Sequence, residues 1–198
     1  MSPRSKKTAE QMREKSRRAI VLAALELFAR KGYSATTADA IARKAGISKG
    51  LIYSYFDSKQ DILFGIFDEQ MDRVFPRFFN EKDARPPHER LVSIINSWLE
   101  LITNEPLLVR LSLQLNLDDD YRRIIRSKKA MKYYNRFLTE MKKLFSELGS
   151  ARPDLDTYLL MFLFDGVVAN YTVAPDLFPI EEIKIHLVDL LTSRWETK

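Results

Sequence analysis

The feature that most constrains this chain is the stretch TTADAIARKAGISKGLIYSYFDSK at residues 36–59. It predicts two short amphipathic helices joined by a turn at Gly46, with a further helix directly afterwards. Ser48 is suited to cap the second helix, and Ser58 with Asp61 is suited to cap the third. This spacing is typical of a helix-turn-helix, in which the second helix reads the major groove of DNA.

The side chains of the stretch sort onto two faces. Thr36 is predicted to cap the first helix in a capping box with Asp39, and Gly46 suits the left-handed end of that helix. Ile52 and Phe56, four residues apart, are expected to face the core, and the opposite face carries Lys49, Gly50, Tyr53, Ser54 and Tyr55. The alternative is an ordinary small helical bundle with a solvated face.

Two segments carry a family resemblance. ATTADAIARKAGISKGLIYSYFDSKQDIL, from Ala35, resembles the signature of the tetracycline-repressor (TetR/AcrR) family. The preceding RRAIVLAALELFARKGYSATT resembles that family's first helix, including Phe28, Gly32 and Tyr33. The match covers about residues 15–65, and the rest resembles the family only in length and helical character. Many members have a His in place of Tyr55, whose hydroxyl can also donate to a phosphate.

The motif yields a set of predicted DNA contacts. Lys49 is expected to read a base, a guanine, while Tyr53, Tyr55 and Lys59 position the DNA backbone and Gly50 allows close approach. The whole predicted set is Thr36, Thr37, Ala38, Lys49, Gly50, Leu51, Tyr53, Ser54, Tyr55 and Lys59.

Charge is concentrated at the same end of the chain. Residues 1–59 hold 13 Lys/Arg and 5 Asp/Glu, whereas the remaining residues hold 19 and 22. A basic end on a slightly acidic body is the electrostatic footprint of phosphate binding.

Other function classes find little support. The chain has no Cys, which excludes disulfides and zinc–thiolate sites, and His88 and His186 lack metal-ligand spacing. The acidic run 118–120 suits a helix N-terminus. Because no Gly-rich phosphate loop or nucleophile motif is present, we expect no enzyme, metal or cofactor. The N-terminus lacks an apolar signal region, and Asp165 interrupts the most apolar run, so a soluble cytoplasmic protein without a membrane span is expected.

Apolar periodicity predicts an all-α fold. The predicted helices cover 13–31, the helix-turn-helix, 58–78, 88–103, 106–117, 118–149, 153–173 and 180–195, with residues 1–12 partly disordered. Residues 1–60 are predicted to form the DNA-binding domain and 61–198 a ligand-binding and dimerisation domain.

The C-terminal part is rich in large apolar side chains. The candidate ligand pocket is Phe64, Phe67, Met71, Phe78, Trp98, Tyr133, Tyr134, Phe137, Met161 and Phe162, and the alternative for each is ordinary core. Arg126, Lys129 or Arg136 facing inward would favour an acidic ligand.

The last two helices are more apolar than a solvated surface requires, although a monomer core is the alternative to an interface. The family resemblance implies that they pair with their symmetry mates. The predicted interface is Phe164, Val168, Ile183, Leu187, Leu190 and Leu191.

These predictions combine into one function. We expect a homodimeric transcriptional regulator, a repressor released from a palindromic operator in double-stranded DNA by a small apolar or aromatic molecule. The alternatives are an activator, a ligand-independent DNA-binding factor, or a helical interaction adaptor without DNA binding. Salt-dependent binding to duplex DNA separates the adaptor from the rest.

Overall fold

The computed structural model describes residues 3–79, 83–116 and 128–193. Within these ranges the chain forms helices and no strands, which confirms the all-α prediction. The helices are α1 (Pro3–Lys31), α2 (Ala38–Ala45), α3 (Lys49–Ile52), α4 (Lys59–Phe78), α5 (Pro87–Asn104), α6 (Pro106–Asn116), α7 (Lys128–Glu147), α8 (Pro153–Val173) and α9 (Ile180–Ser193).

Most predicted helix ends lie close to the observed ones, and the first helix is the exception. It begins at Pro3 rather than near residue 13, so the prediction of partial disorder is wrong for residues 3–12. Residues 117–127, which belong to the predicted helices 106–117 and 118–149, and the end of the last predicted helix lie outside the described residues.

The chain divides into two compact units, Met1–Met71 and Asp72–Lys198. The division falls inside α4, whereas the predicted domain boundary after residue 60 lies in the first turn of that helix. A single helix therefore supplies residues to both units.

The first unit is a small bundle of α1, α2, α3 and the first part of α4. Its buried centre includes Ile20, Phe28, Ile41, Ile52, Phe56, Ile62, Leu63 and Ile66. α4 approaches the turn after α3 at Gly65, where an added Cβ would lie 2.8 Å from a ring carbon of Phe56. Glycine at this position thus permits the close packing of α4.

The second unit is built from the end of α4 and helices α5 to α9. In it, α5 packs against α6, α7 and α9, while α8 packs against α6 and α7. The core includes Leu91, Ile95, Ile102, Met141, Phe145, Leu160, Phe164 and Leu187. Trp98 stacks on Phe164 with the ring centres 3.9 Å apart. Among the described helices, none has the length and apolar character needed to span a bilayer.

Candidate DNA-binding and effector sites

The start of α2 differs from the prediction by one residue. Thr37, not Thr36, is the N-cap, and its hydroxyl accepts a hydrogen bond from the Ala40 amide at 3.2 Å. The Thr36 side chain is buried, and its hydroxyl donates to the carbonyls of Gly32 at 2.8 Å and Leu27 at 3.3 Å. Thr36 therefore fixes the α1–α2 connection from inside. Its side chain is unsuited to DNA contact, whereas Thr37 is exposed and Ala38 half-buried.

The turn of the motif forms as the sequence predicts. Gly46 has φ 69° and ψ 31°, and the Ile47 amide donates to the Ala42 carbonyl at 3.0 Å. This is the left-handed end of a helix that glycine allows without strain. The Ser48 hydroxyl then accepts from the Leu51 amide at 3.3 Å, which confirms the predicted cap of α3.

The recognition segment is shorter as a helix than the sequence predicts. α3 spans only Lys49–Ile52, and a tight turn follows in which the Tyr55 amide donates to the Ile52 carbonyl at 2.9 Å. Ile52 and Phe56 are buried, as predicted. The exposed residues of the predicted set are Lys49, Gly50, Leu51, Tyr53 and Ser54, and Tyr55 is half-buried. Residues 49–55 therefore present one continuous polar and aromatic surface.

Lys49 is exposed and has an acidic neighbour. Its ammonium lies 3.0 Å from a carboxylate oxygen of Asp39, and both side chains are about half exposed. The hydrogen bond from Lys49 to Asp39 and the charge of that carboxylate raise the pKa of Lys49. Because exposed pairs of this kind are weak, Lys49 can exchange Asp39 for a base or a phosphate.

Lys59, which was predicted to clamp a phosphate, is hydrogen-bonded within its own chain. Its ammonium donates to the carbonyls of Tyr33 at 2.8 Å and Thr36 at 3.1 Å, with a longer contact to Ser34 at 3.4 Å. These bonds direct the charge inward and tie α4 to the α1–α2 connection. The predicted cap beside it does form, since the Asp61 amide donates to the Ser58 hydroxyl at 3.1 Å.

Arg13 of α1 is a residue that the helix-turn-helix motif does not include. Its guanidinium carbon lies 5.6 Å from the centre of the Tyr55 ring. The basic character of the N-terminal segment could have indicated that Arg13 lies near the motif. It did not, because this end of the chain was expected to be partly disordered and therefore to have no fixed position.

The predicted ligand residues lie in both compact units. Phe64 and Phe67 are half-buried in the first unit, and Met71's side chain lies outside the described residues. In the second unit, Trp98, Tyr133, Phe137 and Met161 are half-buried, whereas Tyr134 and Phe162 are 41% and 65% exposed. Arg136 is exposed, and the side chains of Arg126 and Lys129 lie outside the described residues. The contact between Trp98 and Phe164 fills the bundle centre.

A cavity of about 560 Å³ lies at another place in the second unit. Its lining combines Phe78 and Phe79 with Asp83, Arg85, Arg90 and Glu147. Asp83 is hydrogen-bonded by the Arg85 guanidinium, which lowers the pKa of Asp83 to about 2. Arg90 pairs with Glu147. Phe78 alone of the predicted ligand residues lines this cavity, so it is a charged pocket rather than the apolar one expected.

The predicted interface residues separate into two groups. Phe164 and Leu187 are buried in the core of their own chain, so their assignment to an exposed interface is wrong. Val168, Ile183 and Leu191 are half-buried against that core, and Leu190 is 50% exposed. In the first half of α8 the exposed large apolar side chains are instead Leu155, Tyr158, Leu159 and Phe162, which share one helix face.

Comparison with known sequences identifies the first unit. Residues 20–66 match the model described as bacterial regulatory proteins, tetR family. Residues 20–66 therefore carry the sequence of this family's N-terminal segment. The match covers α2, α3 and the parts of α1 and α4 that form the buried centre of the first unit. In the described residues, no group of His, Asp and Glu side chains is placed to hold a metal ion.

One relative of this chain is the fatty acid metabolism regulator protein of Bacillus subtilis (strain 168). It is 33% identical over 87 residues, which are 43% of this chain and 45% of that protein. The match thus spans less than half the length of this relative.

Two solved structures resemble the chain over most of its length. The fatty acid degradation regulator FadR from Bacillus halodurans superposes with a TM-score of 0.77 at 22% identity, covering 89% of this chain and 94% of that one. FadR from Bacillus subtilis in complex with stearoyl-CoA gives 0.75 at 23% identity, covering 88% and 97%. At these identities the likeness shows a shared fold.

Proposed function

We propose that this chain is a DNA-binding transcriptional regulator that acts as a pair of identical chains on a palindromic site. The observation that carries the proposal is the helix-turn-helix itself. Gly46 and two capped helix starts hold α2 against α3, and residues 49–51, 53 and 54 stay exposed for the major groove. The TetR-family match over residues 20–66 supports the same assignment.

The proposed dimer uses the exposed apolar face of α8. Leu155, Tyr158, Leu159 and Phe162 recur at spacings of three and four, and the rings of Tyr158 and Phe162 have centres 6.5 Å apart. Ile185 and Leu190 of α9 are also exposed, at 71% and 50%. Exposed apolar surface of this extent favours burial against another protein surface. A symmetric pair places two recognition segments on one operator.

The proposed regulation is release of DNA when a small molecule binds the second unit. We propose long-chain acyl thioesters as the first effector class to examine. The support is that a protein of the same fold was solved with stearoyl-CoA and that a relative is a fatty acid metabolism regulator. An apolar acyl chain suits the many large apolar side chains of the second unit, and its charged head suits cations such as Arg85 and Arg90.

Selection from a library of randomised duplexes tests DNA binding with no operator sequence chosen in advance. The full chain should enrich a palindrome whose half-sites lie about 34–36 Å apart, one turn of DNA. Lys49→Ala should relax the preference at one base pair in each half-site by roughly 5–150-fold. Arg110→Ala, which removes an exposed cation from the second unit, should select the same sequence as the unmodified chain. Enrichment of no sequence by the unmodified chain would remove the proposal.

A further inference from the structure

The first half of α1 is held beside the recognition segment. The Arg13 guanidinium lies over the Tyr55 ring, and the Arg17 guanidinium, one turn later, is 5.4 Å from the centre of the Phe56 ring. Arg17 also forms an ion pair with Glu69 of α4 at 2.7 Å. All of these contacts lie within the first unit, and they fix the position of this part of α1 beside the recognition segment.

Beyond these contacts α1 continues as an exposed helix. The side chains of residues 8–15 are exposed, and the first fully buried side chain is Ile20. At 1.5 Å per residue, the helix from Pro3 to Ile20 is about 26 Å long. A helix that is polar on every side gains little from packing, so its formation depends on side-chain pairs or on a partner.

The net charge of the chain resides in this segment. Residues 1–18 contain seven Lys/Arg and two Asp/Glu, while the other 180 residues contain 25 of each sign. A local charge of +5 in the N-terminal segment attracts a polyanion. An anionic membrane is a less suitable partner, because Met12 is the one large apolar side chain among the exposed residues 8–15.

Resting on the proposed DNA binding, we infer that α1 forms a second phosphate-binding surface beside the recognition segment. Arg13, stacked on Tyr55, binds a backbone phosphate at the edge of the site that residues 49–55 read. Lys15 and Arg18, both exposed, bind phosphates of the flanking duplex. Stacking engages the flat face of a guanidinium and is compatible with its in-plane N–H groups donating to phosphate oxygens.

This surface adds affinity and carries no base specificity of its own. Phosphate contacts position a protein on the duplex, whereas base edges supply sequence information. The Tyr55 ring has two roles in this arrangement, because its hydroxyl is close to the DNA backbone and its face holds Arg13 in place. The flanking contacts also require duplex beyond the selected site.

The experiment measures binding of the full chain to the duplex obtained by selection, in two lengths. One duplex ends at the selected site, and the other carries about ten further base pairs on each side, one helical turn. The unmodified chain should bind the longer duplex more tightly. The triple variant Arg13→Ala/Lys15→Ala/Arg18→Ala should lose that advantage, and each removed contact should reduce the slope of log K against log salt by about 0.9.

Three controls make the result interpretable. Arg110→Ala removes one positive charge from the second unit and should leave the salt slope and the length dependence unchanged. Arg13→Lys keeps the charge at this position and should retain most of the slope. Circular dichroism of the triple variant should show the helical content and unfolding midpoint of the unmodified chain, because the three side chains are exposed.

The outcomes separate this inference from the proposal on which it rests. If the unmodified chain selects a duplex but the triple variant keeps its slope and length dependence, α1 does not touch DNA and the inference is overturned. If the triple variant instead loses binding to phosphatidylserine vesicles while duplex binding is unchanged, the partner is a membrane and the inference is likewise overturned. Failure of the unmodified chain to select any duplex removes the proposed function itself.

Discussion

The ammonium of Lys59 donates a hydrogen bond to the Tyr33 carbonyl at 2.8 Å and lies 4.3 Å from the centre of the Tyr33 ring. One side chain at the start of α4 thus holds the connection between α1 and α2. From the sequence, this lysine at the start of a helix was predicted to bind a phosphate of DNA. The difference matters because the two roles have different thermodynamic signatures.

Lys59→Ala should lower the stability of the first unit by about 1.5–3 kcal/mol, the typical loss when a charged donor is removed. The carbonyls of Tyr33 and Thr36 then lose their shared partner. Urea unfolding measures the change, with Lys31→Ala as a control at an exposed cation in the same unit. DNA affinity should fall with an unchanged salt slope. If the slope of log K against log salt fell by about 0.9 while the stability stayed unchanged, the result would instead support the predicted phosphate contact of Lys59.

Substitutions at two glycines distinguish an effect on folding from an effect on DNA binding. Gly65→Ala should destabilise the first unit by about 1–3 kcal/mol, because its Cβ would overlap the Phe56 ring. Gly50→Ala meets no atom within 4 Å and replaces a glycine inside α3, so the variant should be no easier to unfold with urea than the original. Its added methyl group should instead weaken binding to the selected duplex. Equal unfolding midpoints for both variants would show that Phe56 moves aside without cost.

The ion pair between Arg17 and Glu69 predicts a pH-dependent stability. Burial raises the pKa of Glu69, and the charge of Arg17 opposes that rise. Arg17→Ala should therefore raise the pKa of Glu69 further. A folded chain with a raised carboxyl pKa retains its proton to a higher pH than the unfolded chain, so stability falls as the pH rises through the raised value. The deficit of the variant should be largest at pH 7 and shrink towards pH 4.

The size of that deficit is limited by solvent. The side chains of Arg17 and Glu69 are 30% and 27% exposed, so screening keeps the difference at pH 7 to about 1 kcal/mol or less. Urea unfolding at pH 7 and pH 4 measures it. Arg30→Ala is the matched control, because its partner Glu26 is a more exposed carboxylate. A deficit of the same size at both pH values would mean that packing of Arg17 on Phe56, and not charge, is lost.

How much the sequence predicts depends on whether a signal is local. The Gly46 turn and the Ser48 and Ser58 caps were predicted correctly, because each depends on residues within a few positions. The inward direction of Lys59 could not be predicted, since its partners lie about 25 positions earlier in the chain. The N-cap was displaced by one residue because adjacent threonines offer the same chemistry, and only tertiary packing decides which is buried.

Burial of Phe164 in the core of its own chain could not be predicted for a different reason. α8 is apolar on all sides, so its sequence carries no information about which face meets its own core. Phe162 and Phe164 are about 200° apart around a helix with 3.6 residues per turn. Phe164 packs on Trp98 in the core, and Phe162 is 65% exposed. Their chemistry is identical, and only the position of the neighbouring helices distinguishes them.

This contrast gives a paired test of the dimer. Phe162→Glu should yield a monomer that remains helical, because it places a charge in the proposed interface without disturbing the core. Phe164→Glu should instead unfold the second unit. Sedimentation and circular dichroism separate the two outcomes. Leu177→Glu introduces the same charge at an 85% exposed position between α8 and α9 and should leave the assembly unchanged. A dimeric Phe162→Glu variant would place the interface elsewhere.

Trp98 offers a direct readout of effector binding. Its ring stacks on the buried Phe164, so an acyl chain that enters the bundle centre must separate or cover these rings. Trp195 is the other tryptophan of the chain, and Trp195→Phe leaves Trp98 as the single indole reporter. Titration of this variant with stearoyl-CoA should change the Trp98 emission. Arg85→Ala should weaken the same ligand if its charged head lies in the cavity beside Phe78 and Phe79.

The titration becomes a test of regulation when it is repeated with the selected duplex present. A ligand that releases DNA must prefer the state that binds DNA poorly, and equal affinity for both states would shift nothing. Coupling of this kind is typically worth about 1–3 kcal/mol, or roughly 5–150-fold in affinity. Because coupling is reciprocal, saturating duplex should weaken stearoyl-CoA by the factor by which stearoyl-CoA weakens the duplex. Identical ligand affinities with and without duplex would show that this thioester does not regulate DNA binding, and the ligand-independent DNA-binding factor would then be the better description.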